Sequence, residues 1–245
     1  MRTLGASHAG RVRPNNQDSF ICGKLTETAA FAVVCDGMGG ASGGNIASGI
    51  AARIIADRLV DEYRDHTDEL FVRQLFSKAI EKANAEVFQT AVENEDLRGM
   101  GTTVVAAIVN EQYAYIAHIG DSRAYLITRP AIKQLTRDHS VVQEMVEQGR
   151  ITAEQARTHA QKHLLTRAIG VEPKTECEFA AVPFPENGTL LLCTDGLTNM
   201  VEEDTIQSLV RTFSFEEIPN KLINTANLAG GSDNITVAVV AAEKE

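Results

Sequence analysis

Four aspartates stand where an apolar run and a turn meet. They are Asp36 in Val33-Val34-Cys35-Asp36-Gly37, Asp121 in Ile119-Gly120-Asp121-Ser122, Asp195 in Leu192-Cys193-Thr194-Asp195-Gly196 and Asp233 in Gly231-Ser232-Asp233-Asn234. A carboxylate at the end of a buried strand loses hydration, and an ionised group there is costly unless something compensates it. One such Asp is ordinarily a turn residue bonding its own backbone. Four, spread from position 36 to 233, predict a pooled negative site, and a hard divalent cation is its natural complement. In Asp36-Gly37-Met38-Gly39-Gly40 the glycine after the acid frees the backbone to offer a carbonyl ligand, and Mg²⁺ and Mn²⁺ prefer such oxygen donors. The run lacks the Gly-Lys-Ser/Thr ending of a P-loop and the spacing of a dinucleotide site. By itself it reads as a strand-to-helix loop, able at most to hold a phosphate at the helix N-terminus.

Arg13 and Asn16-Gln17-Asp18 add a cation and an acid near the chain start. Pro-Asn-Asn is turn composition, so a surface turn is the plain reading. Beside a metal site Arg13 becomes a phosphate clamp, because guanidinium matches phosphate oxygens bidentately, and Asp18 would bond metal-bound water. Gly101-Thr102-Thr103 opens a strand, where Thr is at home. Ser140 in Asp138-His139-Ser140 reads as a helix cap. His118 and His139 are open to ligand, acid or purely structural roles.

The elements that must position these residues are mostly short β-branched or aromatic runs. Strands are expected at Ser19–Cys22, Phe31–Cys35, Thr103–Val109, Tyr113–Ile119, Ala124–Thr128, Thr175–Val182, Thr189–Cys193 and Ile235–Ala241. Asn110-Glu111-Gln112 joins two of them closely enough for a hairpin, hence antiparallel pairing. No regular βαβ alternation supports a doubly wound parallel sheet. Two long helices fall between the second and third strands, with Ile46, Ile50, Ile54 and Leu59 marking one apolar side and Leu75, Ala79, Ala83 and Val87 the other. A helical pair follows from Ser140 to about His163, with capping boxes at Ser140/Gln143 and Thr152/Gln155 and a break at Gly149. It carries little core pattern and reads as a surface subdomain. Final helices occupy about 202–211 and 215–228. These elements predict an α+β fold, two packed antiparallel β-sheets flanked by helices on both sides, as one domain over 1–245 with a helical flap at about 140–163.

Composition is that of an ordinary globular protein, 44% apolar and 23% charged over 245 residues. A formal net charge of -10 opposes general attraction to nucleic acid. No apolar stretch reaches the roughly 18–20 residues of a membrane span, and the N-terminal residues lack a signal-peptide core. Cys22, Cys35, Cys177 and Cys193 show no Cys-x-x-Cys spacing, so neither a disulfide framework nor a thiolate zinc site is expected. A cytoplasmic, monomeric protein is the expectation.

Taken in order, Arg13 to Asp18, Asp36-Gly37-Met38-Gly39-Gly40, Gly101-Thr102-Thr103, Gly120-Asp121-Ser122-Arg123, Asp138-His139-Ser140, Thr194-Asp195-Gly196 and Asp233-Asn234 resemble the metal-dependent protein phosphatases of type 2C, particularly their bacterial single-domain members. The resemblance covers nearly the whole chain. It implies a β-sandwich with a binuclear Mn²⁺/Mg²⁺ centre between the sheets, and hydrolysis of phosphoserine and phosphothreonine in proteins by a metal-activated water, the two ions lying about 3.5–4 Å apart. Residue by residue, Asp36 resembles the bridging carboxylate and Gly37 a carbonyl ligand. Asp195 and Asp233 match the remaining carboxylates, Asp121 with Asp195 the pair holding a weaker third ion, and Arg13 the phosphate-binding arginine. The flap becomes a substrate-selecting surface, and a cognate Ser/Thr protein kinase the expected partner. The chain departs from the pattern at Met38, where eukaryotic members have a histidine able to protonate the leaving alkoxide, and at Ala41, where many bacterial relatives carry a histidine. The alternatives are a non-catalytic phosphoprotein-binding module, a small-molecule phosphatase on the same metal site and, less well supported, a two-metal nuclease.

Overall fold

The computed structural model describes residues 1–40 and 43–243, so Ala41 lies outside the described residues. In chain order the elements are β1 (Arg2–His8), β2 (Asp18–Lys24), β3 (Ala30–Met38), α1 (Gly43–Glu62), α2 (Glu69–Glu93), a 3₁₀ turn at Glu95–Leu97, β4 (Gly101–Thr102), β5 (Val104–Val109), β6 (Tyr113–Ile119), β7 (Arg123–Ile127) and β8 (Ile132–Gln134). They continue with α3 (Val141–Glu147), α4 (Ala153–Thr158), β9 (Glu178–Pro183), β10 (Thr189–Cys193), α5 (Asp195–Thr198), α6 (Glu203–Thr212), α7 (Ile218–Leu228) and β11 (Ile235–Ala241). One sheet runs β1-β11-β10-β7-β8 and the other β2-β3-β5-β6-β9, with β4 pairing to β3. Every strand pair is antiparallel. The expected α+β sandwich is borne out.

Side chains alternate across a strand, and here both faces of each sheet find apolar partners. Ala30, Ala32 and Val34 of β3 meet Leu190, Leu192, Ala238 and Val240 in the layer between the sheets. Phe31, Val33 and Cys35 turn outward under α1 and α2. Leu191, Cys193, Val237 and Val239 turn the opposite way, under α5, α6 and α7. Two covered faces explain the near-continuous apolar runs of β5 and β11, where a half-solvated antiparallel strand would alternate with polar residues.

The apolar side of α2 is the one its spacing predicts, with Leu75, Ala79, Ala83 and Val87 buried. In α1 Leu59 is buried as expected, but the isoleucine stripe is displaced by one residue. Its buried face is Ala47, Ser48, Ala51, Ala52, Ile55, Ala56 and Leu59, and Ile46, Ile50 and Ile54 flank it half-buried. Small residues line the closest approach to the sheet, and the larger isoleucines fill the margins. The edge strand β1 escapes the propensity pattern because Arg-Thr-Leu-Gly-Ala-Ser-His is poor in β-branched residues. Its pairing with β11, from Arg2 opposite Ala241 to His8 opposite Ile235, makes it a strand.

The segment after β8 reads as expected, with Val142 the buried residue of α3 and none in α4. Thr152 and Gln155 form a complete capping box. At Ser140 the box is half made: Ser140 accepts from the Gln143 amide, and the Gln143 side chain donates to Glu147 instead of turning back. The segment is closed at its root, where the Val141 N–H donates to Leu164 O and Ser140 bridges to Leu165.

Candidate active site

Strand parity places the first two acids. Asp36 continues the inward series Ala30, Ala32, Val34, and the β2–β3 register sets Asp18 directly opposite it. Both carboxylates therefore point into the mouth of the sandwich, where the apolar layer ends. Across the gap, Thr194 and Thr236 continue the inward series of β10 and β11. The Thr194 hydroxyl donates to Asp18 Oδ2 at 3.0 Å and accepts the Thr236 N–H at 3.0 Å. Asp18 is 8% exposed, and its other oxygen, Oδ1, is buried without a hydrogen-bond partner.

Asp36 is fastened from behind. Its N–H donates to Thr103 Oγ1 at 3.0 Å, and its carbonyl accepts from the Thr103 N–H and the Thr102 hydroxyl, each at 2.9 Å. Thr103 Oγ1 is also 2.7 Å from Ser122 Oγ, tying the loop that carries Asp121 to the strand that carries Asp36. Gly37 is required by close packing, because a Cβ there would sit 2.0 Å from Gly44 O. Asp195 opens α5, and its Oδ2 accepts from Asn199 Nδ2 at 2.8 Å. Asp233 is paired with Arg13, whose guanidinium donates to Oδ2 at 2.9 Å. The adjacent Asn234 pins the N-terminal loop, its Nδ2 donating to Ala9 O and Asn15 O and its Oδ1 accepting the Gln17 N–H.

The electrostatics report one crowded site. Asp36 is pushed well above the usual carboxylate range, first by burial and then by Asp18, Asp195, Asp121 and Asp233. Asp121 is pushed well up by burial and by Asp195 and Asp138, and Asp195 is raised by burial and by Asp233. Burial lifts Asp18 to about 7 against the hydrogen bonds of Thr236 and Thr194. Against these acids the protein sets Arg13, which the Asp233 contact raises, the proximity of His163 to Asp195, and Arg123, which acts on Asp121 but is already paired with Asp138. Oxygen donors, an unpartnered buried carboxylate oxygen and a shortage of positive charge fit hard divalent cations. A cavity of about 530 Å³ reaches from Asp121 and Asp195 along Val142, Val146, Arg157 and Lys162, on and beside α3 and α4.

A second group, His118, His139 and Glu178, brings its potential ligand atoms within 4.8 Å of one another. Its hydrogen bonds argue against a metal. His139 Nδ1 accepts the Gly120 N–H at 3.1 Å, so its proton sits on Nε2, which faces Glu178 Oε1 at 3.0 Å. That contact is short but poorly aligned, leaving Nε2 without a well-directed hydrogen bond. A cation on Nε2 would force the proton onto Nδ1, where an amide hydrogen already points. His118 Nε2 lies 2.8 Å from the Arg137 carbonyl, which can only accept, so its proton is fixed as well. Arg167 and Arg137 lie 3.4 and 3.7 Å from Glu178 and supply the positive charge. Burial lowers both histidines, His118 and His139, below the usual imidazole range.

The family model for protein phosphatase 2C matches residues 4–229. The chain belongs to the protein phosphatase 2C family. It is 40% identical over 235 residues to the serine/threonine phosphatase stp of Listeria monocytogenes, covering 94% of this chain and 92% of that one. The crystal structure of a bacterial serine phosphatase superposes with a TM-score of 0.92 at 30% identity, covering 100% and 99% of the two chains. The catalytic domain of the phosphatase PstP, in complex with two manganese ions, superposes at 0.86 with 32% identity, covering 97% and 96%. The expected enzyme class, a protein phosphatase of the serine/threonine type, is borne out by the family and these relatives.

Within this phosphatase, Arg13, Asp18, Asp36, Gly37, Asp121, Asp195 and Asp233 are brought to one end of the sandwich. Sequence reasoning missed their supports. Thr103 and Thr194 look like ordinary strand residues, Ser122 and Asn199 like turn and helix residues, and His163 like a surface histidine. Folding reveals their partners, across 19 to 176 residues for Ser122, Thr103 and Thr194 and within one helical turn for Asn199. The available signal was motif membership or adjacency: Thr103 and Ser122 stand inside Gly101-Thr102-Thr103 and Gly120-Asp121-Ser122-Arg123, Thr194 and Asn199 lie within four residues of Asp195, and His163 ends the 140–163 segment.

Proposed function

We propose that this phosphatase hydrolyses phosphoserine and phosphothreonine in proteins at a binuclear Mn²⁺/Mg²⁺ centre. Asp36 would bridge the two ions, Asp195 and Asp233 would complete the carboxylate set, and Gly37 would add its carbonyl. Asp121 with Asp195 would hold a third, weaker ion. The observation that carries this reading is the mutual upward push of the buried aspartates around Asp36, together with the unpartnered Asp18 Oδ1. When bound, the ions would lower the pKa of a water to near neutrality and offset charge on the phosphoryl oxygens.

The chain's own residues do the rest. Arg13 is half-exposed and already directed by Asp233, which leaves its remaining donors to take phosphoryl oxygens. Asp18 holds a free acceptor toward the site and would orient the attacking water by accepting its hydrogen. Thr194 keeps that carboxylate turned inward. Met38 has no proton to give, so the leaving oxygen of Ser or Thr takes its proton from solvent. The cavity between Asp195 and the flap supports a peptide substrate laid across residues 140–163, a flap on a single domain spanning 1–245.

Among the described residues no helix is long and apolar enough to cross a membrane. A cytoplasmic monomer acting against a Ser/Thr protein kinase completes the proposal, with no nucleic-acid or membrane partner. The test is phosphate release from a phosphothreonine peptide and from a sugar phosphate, with Mn²⁺ and with EDTA. The reading expects metal-dependent turnover of the peptide. Preference for the sugar phosphate would move the substrate class to small molecules, and no turnover by folded protein would favour a binding module.

A further inference from the structure

Asp121 sits between two anchors of different origin. On its C-terminal side Ser122 is bonded to Thr103, which also receives the Asp36 N–H, so this anchor belongs to the sandwich. On its N-terminal side Gly120 is gripped twice by one residue. The His139 N–H donates to Gly120 O at 2.9 Å, and the Gly120 N–H donates to His139 Nδ1 at 3.1 Å. Gly120 has φ +102 and its absent Cβ would lie 2.6 Å from Thr103 Cγ2, so no other residue fits this turn without strain. His139 in turn is the root of the flap. Its carbonyl accepts the Thr166 N–H at 2.9 Å where the flap returns, and the Ser140–Leu165 bridge follows directly.

We propose that His139 is a positioning residue that holds the Gly120-Asp121 loop from the root of the flap, so that the flap and the Asp121 carboxylate move together. This rests on the reading of Asp121 as a cation ligand. The His139 side chain is 1% exposed and its ring is stacked on His118 with centroids 4.9 Å apart, which fixes Nδ1 toward Gly120. A peptide that displaces the flap would pull on His139 and, through Gly120, on Asp121.

Two substitutions separate this role from simple core packing. His139→Asn keeps an acceptor near the Nδ1 position, whereas His139→Gln carries its carboxamide outward toward Glu178 and leaves the Gly120 N–H unmatched. Amide exchange in metal-free protein should quicken at Gly120–Ser122 by about tenfold or more in His139→Gln, the loss of one buried hydrogen bond. It should stay near wild type in His139→Asn, with the β5 amides unchanged in both. The Mn²⁺ concentration for half-maximal phosphate release should rise severalfold in His139→Gln and be restored in His139→Asn, and adding His139→Gln to Asp121→Asn should shift it no further than Asp121→Asn alone. Equal behaviour of the two variants, uniform loosening that includes β5, or a full additional shift in the Asp121→Asn background would overturn the proposal. In wild-type protein a scalar coupling between the Gly120 amide nitrogen and His139 Nδ1 is expected, and its absence would do the same without any variant. The exchange and coupling readouts need neither metal nor substrate, so a failure of the clamp is distinguishable from a failure of the phosphatase reading.

Discussion

Two polar clusters, joined through Gly120 and His139, are built on opposite terms. Around His118, His139 and Glu178, the ring protons are placed by hydrogen-bond partners and the carboxylate faces arginines. Around Asp36, acids face acids, and one buried oxygen of Asp18 has no partner at all. The first arrangement balances its charge as the chain folds and lacks only a well-directed bond at His139 Nε2, although its ligand-type atoms lie within 4.8 Å of one another. The second is incomplete without something positive. Proximity of ligand-type atoms is therefore a poorer guide to a cation site than unmet electrostatic demand.

The sharpest way to break that comparison is Asp36→Asn. Activity should fall by on the order of 10²–10³-fold or more, as when a principal transition-state stabiliser is lost, measured as kcat/KM on a phosphothreonine peptide. The same substitution should stabilise the metal-free protein, because it removes a buried charge repelled by its neighbours. Next comes Arg13→Ala, which removes a charge-assisted contact to the phosphoryl group and should lower kcat/KM by roughly tenfold.

Proton linkage gives the two clusters opposite signs. The raised Asp18, Asp36, Asp121 and Asp195 hold protons that the unfolded chain has released, so their contribution to stability falls as pH rises from about 4 toward 7. The lowered His118 and His139 stay neutral where the unfolded chain takes up protons, so theirs is lost as pH falls below about 6.5. The thermal midpoint of metal-free Asp36→Asn should therefore exceed that of wild type by more at pH 8 than at pH 5, by a few degrees, about 2–4 °C per kcal/mol for a chain this size. An equal gap at both pH values would contradict the mutual repulsion. Thr103→Val should cost about 1–3 kcal/mol in denaturant unfolding, since it leaves the Asp36 N–H and Ser122 hydroxyl unmatched. Glu178→Gln, at a contact more than a third exposed, should lower stability by less than about 1 kcal/mol. That is a loss, where Asp36→Asn is a gain.

The four turn aspartates were legible because each marks a junction between an apolar run and a turn, and such a junction is visible without knowing its neighbours. The limits of β6, β10 and β11 were legible for the same reason, as was the Thr152 cap. What could not be read were contacts that depend on register. Asp18 faces Asp36 only because β2 pairs with β3 in one alignment, and Thr103 meets Ser122 only because β5 pairs with β6, at the end away from their turn. The α1 stripe was displaced because side-chain size favours isoleucine as the core face, whereas the tight approach to the sheet selects alanine.

The most direct test of the account is calorimetric titration of Mn²⁺ into metal-free wild type and Asp36→Asn, both shown to be folded. The account predicts two tightly bound ions in the wild type and loss of that binding in the variant, with bound protons released more at pH 6 than at pH 8. Wild-type protein that takes up no Mn²⁺, or a variant that binds it unchanged, would contradict the claim that the pooled aspartates form a cation site.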